Sequence, residues 1–276
     1  MEKRWFISML LLAVVAGASD AELKVQVQLK SGKNFAGVLL ERSGDNLSFQ
    51  PSGAEAPVPV PVASVESLEF KFSESGLSET DRLFGSGDYE QLRSVLDENL
   101  PPFLPYAEIP SNLQPKLSQW LAATYWSGRY DQVLKVAGIA AKTRTATLAR
   151  EALFYSMLTF LEQDGAARVK PFLETKKGAG LFPEGSAPRL YVQARILQLE
   201  EQYIPAMRIA ADLVANHGRD ADWAPQAELL CAELYFKTGR PESANAVLES
   251  IQECYASPLI TKKAAAIAAQ NRTENE

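Results

Sequence analysis

Gly87-Asp88-Tyr89 returns as Gly128-Arg129-Tyr130, as Glu201-Gln202-Tyr203 and as Gly239-Arg240-Pro241. The gaps between first residues are 41, 73 and 38. The middle gap spans two periods, so a weaker copy is expected near 164, where Asp164-Gly165-Ala166 stands. Five turns at one spacing describe stacked helical hairpins, each burying its apolar face only against its neighbours. Such arrays offer extended surfaces to other chains, so the first expectation is binding rather than catalysis.

The residues around the turns carry the period further. Counting from Pro225, Ala232, Tyr235, Gly239, Ala244 and Leu248 fall at places 8, 11, 15, 20 and 24. The copy before it, from Ala187, offers Leu190, Ala194, Leu197, Tyr203, Ala206, Ala210 and Leu213. An earlier one has Leu117, Trp120, Tyr125, Gly128, Tyr130, Val133, Ala137 and Ala140. Small residues at the eighth and twentieth places let paired helices approach closely, and glycine at the turn reaches a backbone conformation that strains other residues. Over roughly 78–258 the chain resembles the tetratricopeptide repeat family. The resemblance implies a mostly α fold, a TPR-like α-solenoid of about five hairpins within 74–258. Departures are visible: Glu228 stands where the family prefers tryptophan, the copy from Glu151 to Lys176 is degenerate, and Pro101, Pro102, Pro105 and Pro110 interrupt the path after the first hairpin.

Residues 259–270 read as a capping helix with Ile260, Ala264 and Ile267 in one stripe and Lys262, Lys263 and Gln270 on the other side, followed by a polar tail at 271–276. Ser78-Glu79-Thr80-Asp81 reads as a helix start with Leu77 just outside it.

Ahead of the array the period is two. Leu23, Val25, Val27 and Leu29 alternate with Lys24, Gln26 and Gln28, the mark of a half-buried strand. Further strands are expected over Phe35–Glu41, around Leu47 and Phe49, and at Leu68, Phe70 and Phe72 after a turn at Val65–Leu68. Gly37 within a strand suggests a sharp bend. The stretches 29–37 and 62–70 resemble the small five-stranded Sm-like or SH3-like β-barrel, which places such a barrel at 19–73. Barrels of that kind often form RNA-binding rings through an edge strand. Here the edge candidate is Pro57-Val58-Pro59-Val60-Pro61-Val62, whose prolines remove the donors from one side and argue against a ring.

The first residues resemble an export signal. Lys3 and Arg4 precede an apolar run from Trp5 to Val15, and Ala16-Gly17-Ala18 offers the small-x-small cleavage pattern. A signal peptide at 1–18 is expected, with Ala21 as a competing cleavage site, and the destination is periplasmic or secreted. The run is shorter than the roughly 17–25 residues of a membrane span, so no stable membrane insertion is expected after cleavage. Removing Glu2, Lys3 and Arg4 takes the formal charge from −6 to −7. An acidic chain without a basic stretch is a poor partner for nucleic acid. Cys231 and Cys254 would sit about six residues out of register across a hairpin, roughly 9 Å apart along the helix. Two separate thiols are therefore expected rather than a bridge.

Chemistry-bearing patterns are sparse. His217 is the single histidine and sits at a helix end, where capping is its natural role. Asp220-Ala221-Asp222 lacks the ladder of a calcium loop and reads as a helix start before Trp223. No phosphate loop, nucleophile elbow or metal spacing is present in the sequence. Neither a cofactor nor a metal is expected, and the chain is expected not to be an enzyme. The family resemblance implies a concave groove lined by Tyr125, Trp126, Tyr191, Arg195, Glu233, Phe236 and Lys237, although Tyr125 and Phe236 adjoin core places and suit packing equally well. The expected function is an exported scaffold, monomeric in isolation, holding a peptide or protein of the cell envelope. The alternative is a structural subunit packed permanently in a larger envelope or secretion complex.

Overall fold

The computed structural model describes residues 23–273 except 75 and 144. The expected signal peptide and the last three residues of the tail lie outside these. The described residues form an N-terminal five-stranded antiparallel sheet followed by a mostly helical body. No helix among them is long and apolar enough to cross a membrane.

The strands are β1 (Leu23–Leu29), β2 (Asn34–Ser43), β3 (Asn46–Pro51), β4 (Val58–Pro61) and β5 (Val65–Phe70), in the order β4-β3-β2-β1-β5. Alternation does its work: Leu23, Val25 and Val27 of β1 are buried with Leu39, Leu47, Phe49, Leu68 and Phe70 in one apolar layer. The expected closed barrel is not formed. β4 and β5 are the two edges and do not pair, and each edge has a physical reason to stop there. Pro59 and Pro61 leave β4 without donors at alternate residues. On β5 the outer edge is already taken by residues 110–112. Leu68 donates its N–H to the Pro110 carbonyl at 2.9 Å, and the Asn112 amide grips both the N–H and the C=O of Phe70, at 2.9 and 2.8 Å.

Other strand details differ from expectation. The turn before β5 is a short 3-10 segment at Val62–Ser64, so Val65–Leu68 belongs to the strand, and Phe72 lies beyond it in a second 3-10 turn. β2 bends where its register with β3 shifts between Leu39 and Glu41. Gly37 answers a different need. A Cβ there would lie 2.1 Å from the Gln50 carbonyl oxygen and 2.7 Å from the Phe49 ring, so glycine lets β3 close up against β2.

The helical body contains α1 (Thr80–Gly85), α2 (Tyr89–Asn99), α3 (Gln114–Trp126), α4 (Tyr130–Ala140), α5 (Ala146–Asp164), α6 (Ala166–Leu173), α7 (Lys176–Leu181), α8 (Ala187–Leu199), α9 (Tyr203–His217), α10 (Ala224–Lys237), α11 (Pro241–Cys254) and α12 (Pro258–Thr273). Five antiparallel pairs, from α1–α2 to α10–α11, turn at residues 87, 128, 165, 201 and 239. All five residues have positive φ, between 60° and 74°. Four are glycine; Glu201, at φ 60°, is the single non-glycine residue with positive φ among the described residues. The weak copy at Asp164-Gly165-Ala166 is thus a turn of the same kind. The short α7 is an insertion between the third and fourth pairs, held by buried Arg189, which donates to the Leu173 and Phe182 carbonyls.

The start of α1 departs from a simple side-chain cap. A 3-10 turn at Gly76–Glu79 leads into it, and buried Thr80 donates to the Leu77 carbonyl instead of capping. Thr80 and Asp81 both receive the ammonium of buried Lys116 from α3, at 2.8 and 2.9 Å.

The proline-rich connector is the joint between sheet and helices. Residues Pro101–Tyr106 form a 3-10 segment that sets Phe103 edge-on to Phe70, ring centroids 5.1 Å apart, with Tyr106 beside it. Arg42 of β2 donates to the Pro105 carbonyl and pairs with Glu108 at 3.4 Å. Each buried aromatic ring in this joint contributes about 2 kcal/mol through burial alone.

At the other end, Ile260 and Ala264 of α12 are buried against Leu229, Ala232, Leu248 and Ile251. The two cysteines are unbridged, Cys231 buried and Cys254 exposed.

Candidate functional site

The first helices of successive pairs, α3, α5, α8 and α10, meet along one inner face, and α12 lies across it. α3 is buried on nearly every side from Lys116 to Trp126, with buried Lys116 donating to Thr80 and Asp81 and buried Gln119 donating to Asp81. Its C-terminal end delivers Tyr125 and Trp126 to the centre of the array. α8 contributes Tyr191 and Arg195 one turn apart, α10 contributes Glu233, and α5 contributes Glu162.

These groups surround a cavity of about 270 Å³. Five of the seven residues expected in a groove line it: Tyr125, Trp126, Tyr191, Arg195 and Glu233. They do not stand along an open track. Tyr125, Trp126 and Tyr191 are only 2, 6 and 8% exposed, and their rings pack on one another and on Trp223. Phe236 turns away and packs into the cluster around Leu229 and Ile251. Lys237 is exposed and borders a separate recess of about 200 Å³ with Gln198 and Asn271.

Arg195 is the hub of the charges. Its guanidinium pairs with Glu162 at 2.8 Å and with Glu233 at 3.6 Å, and it also bonds the Gln198 amide oxygen. Gln198 in turn donates to Glu233 at 2.9 Å. Burial opposes the guanidinium charge, but Tyr191, Glu162 and Glu233 outweigh it and hold its pKa above the ordinary arginine value. Burial pushes the phenols away from ionisation: Tyr130 rises to about 12, and Tyr125 and Tyr191 are raised well above the ordinary tyrosine value. The wall therefore sets neutral hydroxyls beside a guanidinium whose two terminal nitrogens are paired with Glu162, Glu233 and Gln198, while its Nε is buried without a partner.

Eight lining residues are absent from the sequence expectation, among them Tyr130, Glu162 and Lys263. Tyr130 opens α4, Glu162 lies in the degenerate third copy, and Lys263 comes from α12. Lys263 is not turned outward as its place beside the apolar stripe suggests. It reaches over the Trp126 ring at 5.5 Å, and burial holds its pKa below the usual lysine value despite Glu162 and Glu233 nearby. A signal for it existed only in three dimensions, because α12 meets the first pair of the array. Ser257 donates to the Gly87 carbonyl at 3.3 Å, and Lys262 pairs with Glu90 at 2.9 Å. The first pair and the last helix thus touch, and α12 covers the inner face.

The remaining polar positions have local roles. His217 ends α9 and its ring approaches the Gly185 carbonyl at 2.9 Å. The Asp220 carboxylate accepts from the N–H groups of Asp222 and Trp223, at 3.0 and 3.1 Å, and caps the turn into α10. Among the described residues no group of histidine, cysteine and carboxylate side chains is arranged to hold a metal ion. No protein-family model, curated protein or solved structure matches this chain.

Proposed function

We propose that the chain is an exported, non-enzymatic scaffold that holds a peptide or protein of the cell envelope on the inner side of a tetratricopeptide-like array. The observation that carries this reading is the convergence of four consecutive first helices and α12 on one solvent-open cavity walled by tyrosine, tryptophan and charged side chains. Aromatic and arginine groups are the side chains that most often anchor a bound chain. A cavity of about 270 Å³ accommodates one or two side chains, so the partner is held by a short anchor and not threaded along the array. The rest of its contact would fall on the rim, where Lys237, Gln198 and Glu233 remain reachable.

A photo-crosslinking residue placed at position 237 tests the proposal in an envelope extract. A discrete crosslinked partner is expected, lost in Lys263→Ala or Tyr130→Ala protein that melts like the parent. Equal crosslinking by parent and variants refutes the site.

The alternative, a permanently packed subunit, rests on a different surface. Phe35, Leu40 and Val58 of the sheet are 42, 51 and 43% exposed. Partner loss on Leu40→Asp with the cavity variants unaffected would favour that reading.

A further inference from the structure

A second cavity, of about 350 Å³, lies at the seam where the first helical pair meets α12, on the far side of Trp126 from Lys263's recess. Its wall includes four aromatic side chains, Phe84, Tyr89, Trp126 and Tyr255. Phe84 and Tyr89 meet edge to face at 5.9 Å, Tyr89 lies 6.4 Å from Trp126, and Tyr255 stands across from them. Tyr255 is fixed by its hydroxyl, which donates to Glu228 at 3.0 Å. Phe84 is 39% exposed at the mouth, more than an aromatic ring serving only the core.

One charged side chain faces this wall: Asp222. Its neighbour Asp220 performs the capping, so the Asp222 carboxylate is not engaged by the turn. Among the described residues no cation lies within ion-pair distance of it, while Lys262 on α12 is paired with Glu90. Burial and the Asp220 charge push the Asp222 pKa up, and the nearby Asp222 charge adds to burial in raising Tyr89 to about 12. The pocket therefore sets one carboxylate without a cation partner beside four aromatic rings, and the rest of its polar side-chain lining is the neutral groups of Ser86, Gln226, Ser257 and the tyrosines.

We propose that the seam cavity, walled by Phe84, Tyr89, Trp126 and Tyr255 with Asp222 at its edge, binds a weakly hydrated organic cation. Ring faces attract such a cation through their quadrupoles, most strongly when water is excluded, and the carboxylate supplies the counter-charge. A quaternary ammonium compound and the guanidinium of a partner's arginine share this chemistry. A bare lysine ammonium, compact and strongly hydrated, is disfavoured. This site is separate from the cavity of the proposed scaffold function and does not rest on it.

The test is titration of the purified protein at constant ionic strength, followed by tryptophan fluorescence and calorimetry. The probes are choline, N-acetylarginine amide, N-acetyllysine amide and the neutral choline isostere 3,3-dimethylbutanol. Choline or the arginine amide is expected to bind about tenfold or more tightly than the neutral isostere and the lysine amide. Choline alone would identify a small quaternary ammonium as the source, and the arginine amide alone a partner side chain; either supports the site. Asp222→Asn, which leaves the Asp220 cap intact, is expected to weaken binding by about tenfold. Tyr89→Leu should weaken it severalfold, with exposed Lys33→Ala between β1 and β2 as a neutral control. No saturable binding by either cation at tens of millimolar, equal binding of choline and its isostere, or an unchanged affinity in a folded Asp222→Asn protein each overturns the proposal.

Discussion

Alanine at the glycine turns separates local strain from contact across the array. Gly87, Gly128, Gly165 and Gly239 have φ of 69°, 74°, 73° and 71°. An alanine at any of them adopts a left-handed conformation that costs about 1–2 kcal/mol. Part of that is offset because alanine also restricts the unfolded chain, leaving a net loss of about 1 kcal/mol. At Gly128, Gly165 and Gly239 nothing lies within 4 Å of the added Cβ, so this is the whole expected effect. Gly87 differs. Its added Cβ would sit 2.8 Å from the Ser257 hydroxyl and 3.3 Å from the Ser257 Cβ. Ser257 also donates its 3.3 Å hydrogen bond to the Gly87 carbonyl. Displacing Ser257 adds about 1 kcal/mol more, so Gly87→Ala should cost about 2 kcal/mol in total. Urea unfolding of Gly87→Ala, Gly239→Ala, Ser257→Ala and Gly87→Ala/Ser257→Ala, compared at constant m, measures this. Since the obstructing hydroxyl is gone in the double variant, its loss should fall short of the sum of the single losses by about 0.5 kcal/mol or more. If Gly87→Ala and Gly239→Ala lose the same stability and the double variant is additive, the first pair does not touch the start of α12 and the covered inner face is wrong.

Other outcomes follow from single contacts. Glu201→Gly should raise stability by about 0.5–1 kcal/mol in the same urea series, because glycine relieves the one non-glycine left-handed residue. Arg195→Ala should lose about 3–5 kcal/mol by leaving Glu162, whose side chain is 14% exposed, buried without its partner. Adding Glu162→Gln should recover part of that loss. Gly37→Ala should cost about 3 kcal/mol or more, since the clash is with a backbone carbonyl and not with a movable side-chain end; a drop in folded yield and melting temperature reads it. Asp81 has a pKa lowered chiefly by its hydrogen bonds from Lys116 and Gln119. Its contribution to stability is present above the unfolded carboxylate value and lost as pH falls below about 4, so Asp81→Asn should be less stable than the parent at neutral pH and converge with it in acid, which flattens the acid limb of the stability profile.

The hairpin turns were legible because a left-handed backbone leaves its mark on residue choice: glycine at 87, 128, 165 and 239. The exception, Glu201, was still recoverable from Tyr203 two residues on, which keeps the phase of the repeat. The strands were legible from the alternation of Leu23, Val25 and Val27. Failure to close the barrel was not, because what occupies the β5 edge is Pro110–Asn112, about 40 residues further along the chain. At the inner face, helix phase placed Tyr125, Tyr191, Arg195 and Glu233 correctly relative to one another. It could not show that their rings and charges would consume each other, since Trp223 and Glu162 come from a turn and from a copy whose pattern had decayed. Phe236 marks the resolution of phase alone: a side chain at the border of the inner face packs into the core instead. Lys263 flanks Ala264 on the stripe, and only the meeting of α12 with the first pair decides that it points inward.

The placement of charge inside the array bears on what the inner face is for. Arg195 joins α5, α8 and α10, one helix from each of three consecutive pairs, through Glu162 and Glu233. Such a group contributes little net stability, because three charges must leave water before they can pair, and well-packed apolar side chains would hold the helices at least as firmly. What apolar side chains cannot do is fix the register of three helices to one another at a single point. Glycine and alanine at the close approaches allow neighbouring helices to slide; a guanidinium between two carboxylates does not. The cavity beside it therefore keeps its shape without being filled, with Tyr130 and Lys263 on the open side and the ion group behind. A fixed polar recess is costly to maintain for folding alone, and it is a place where an incoming side chain can be held without rearranging the array.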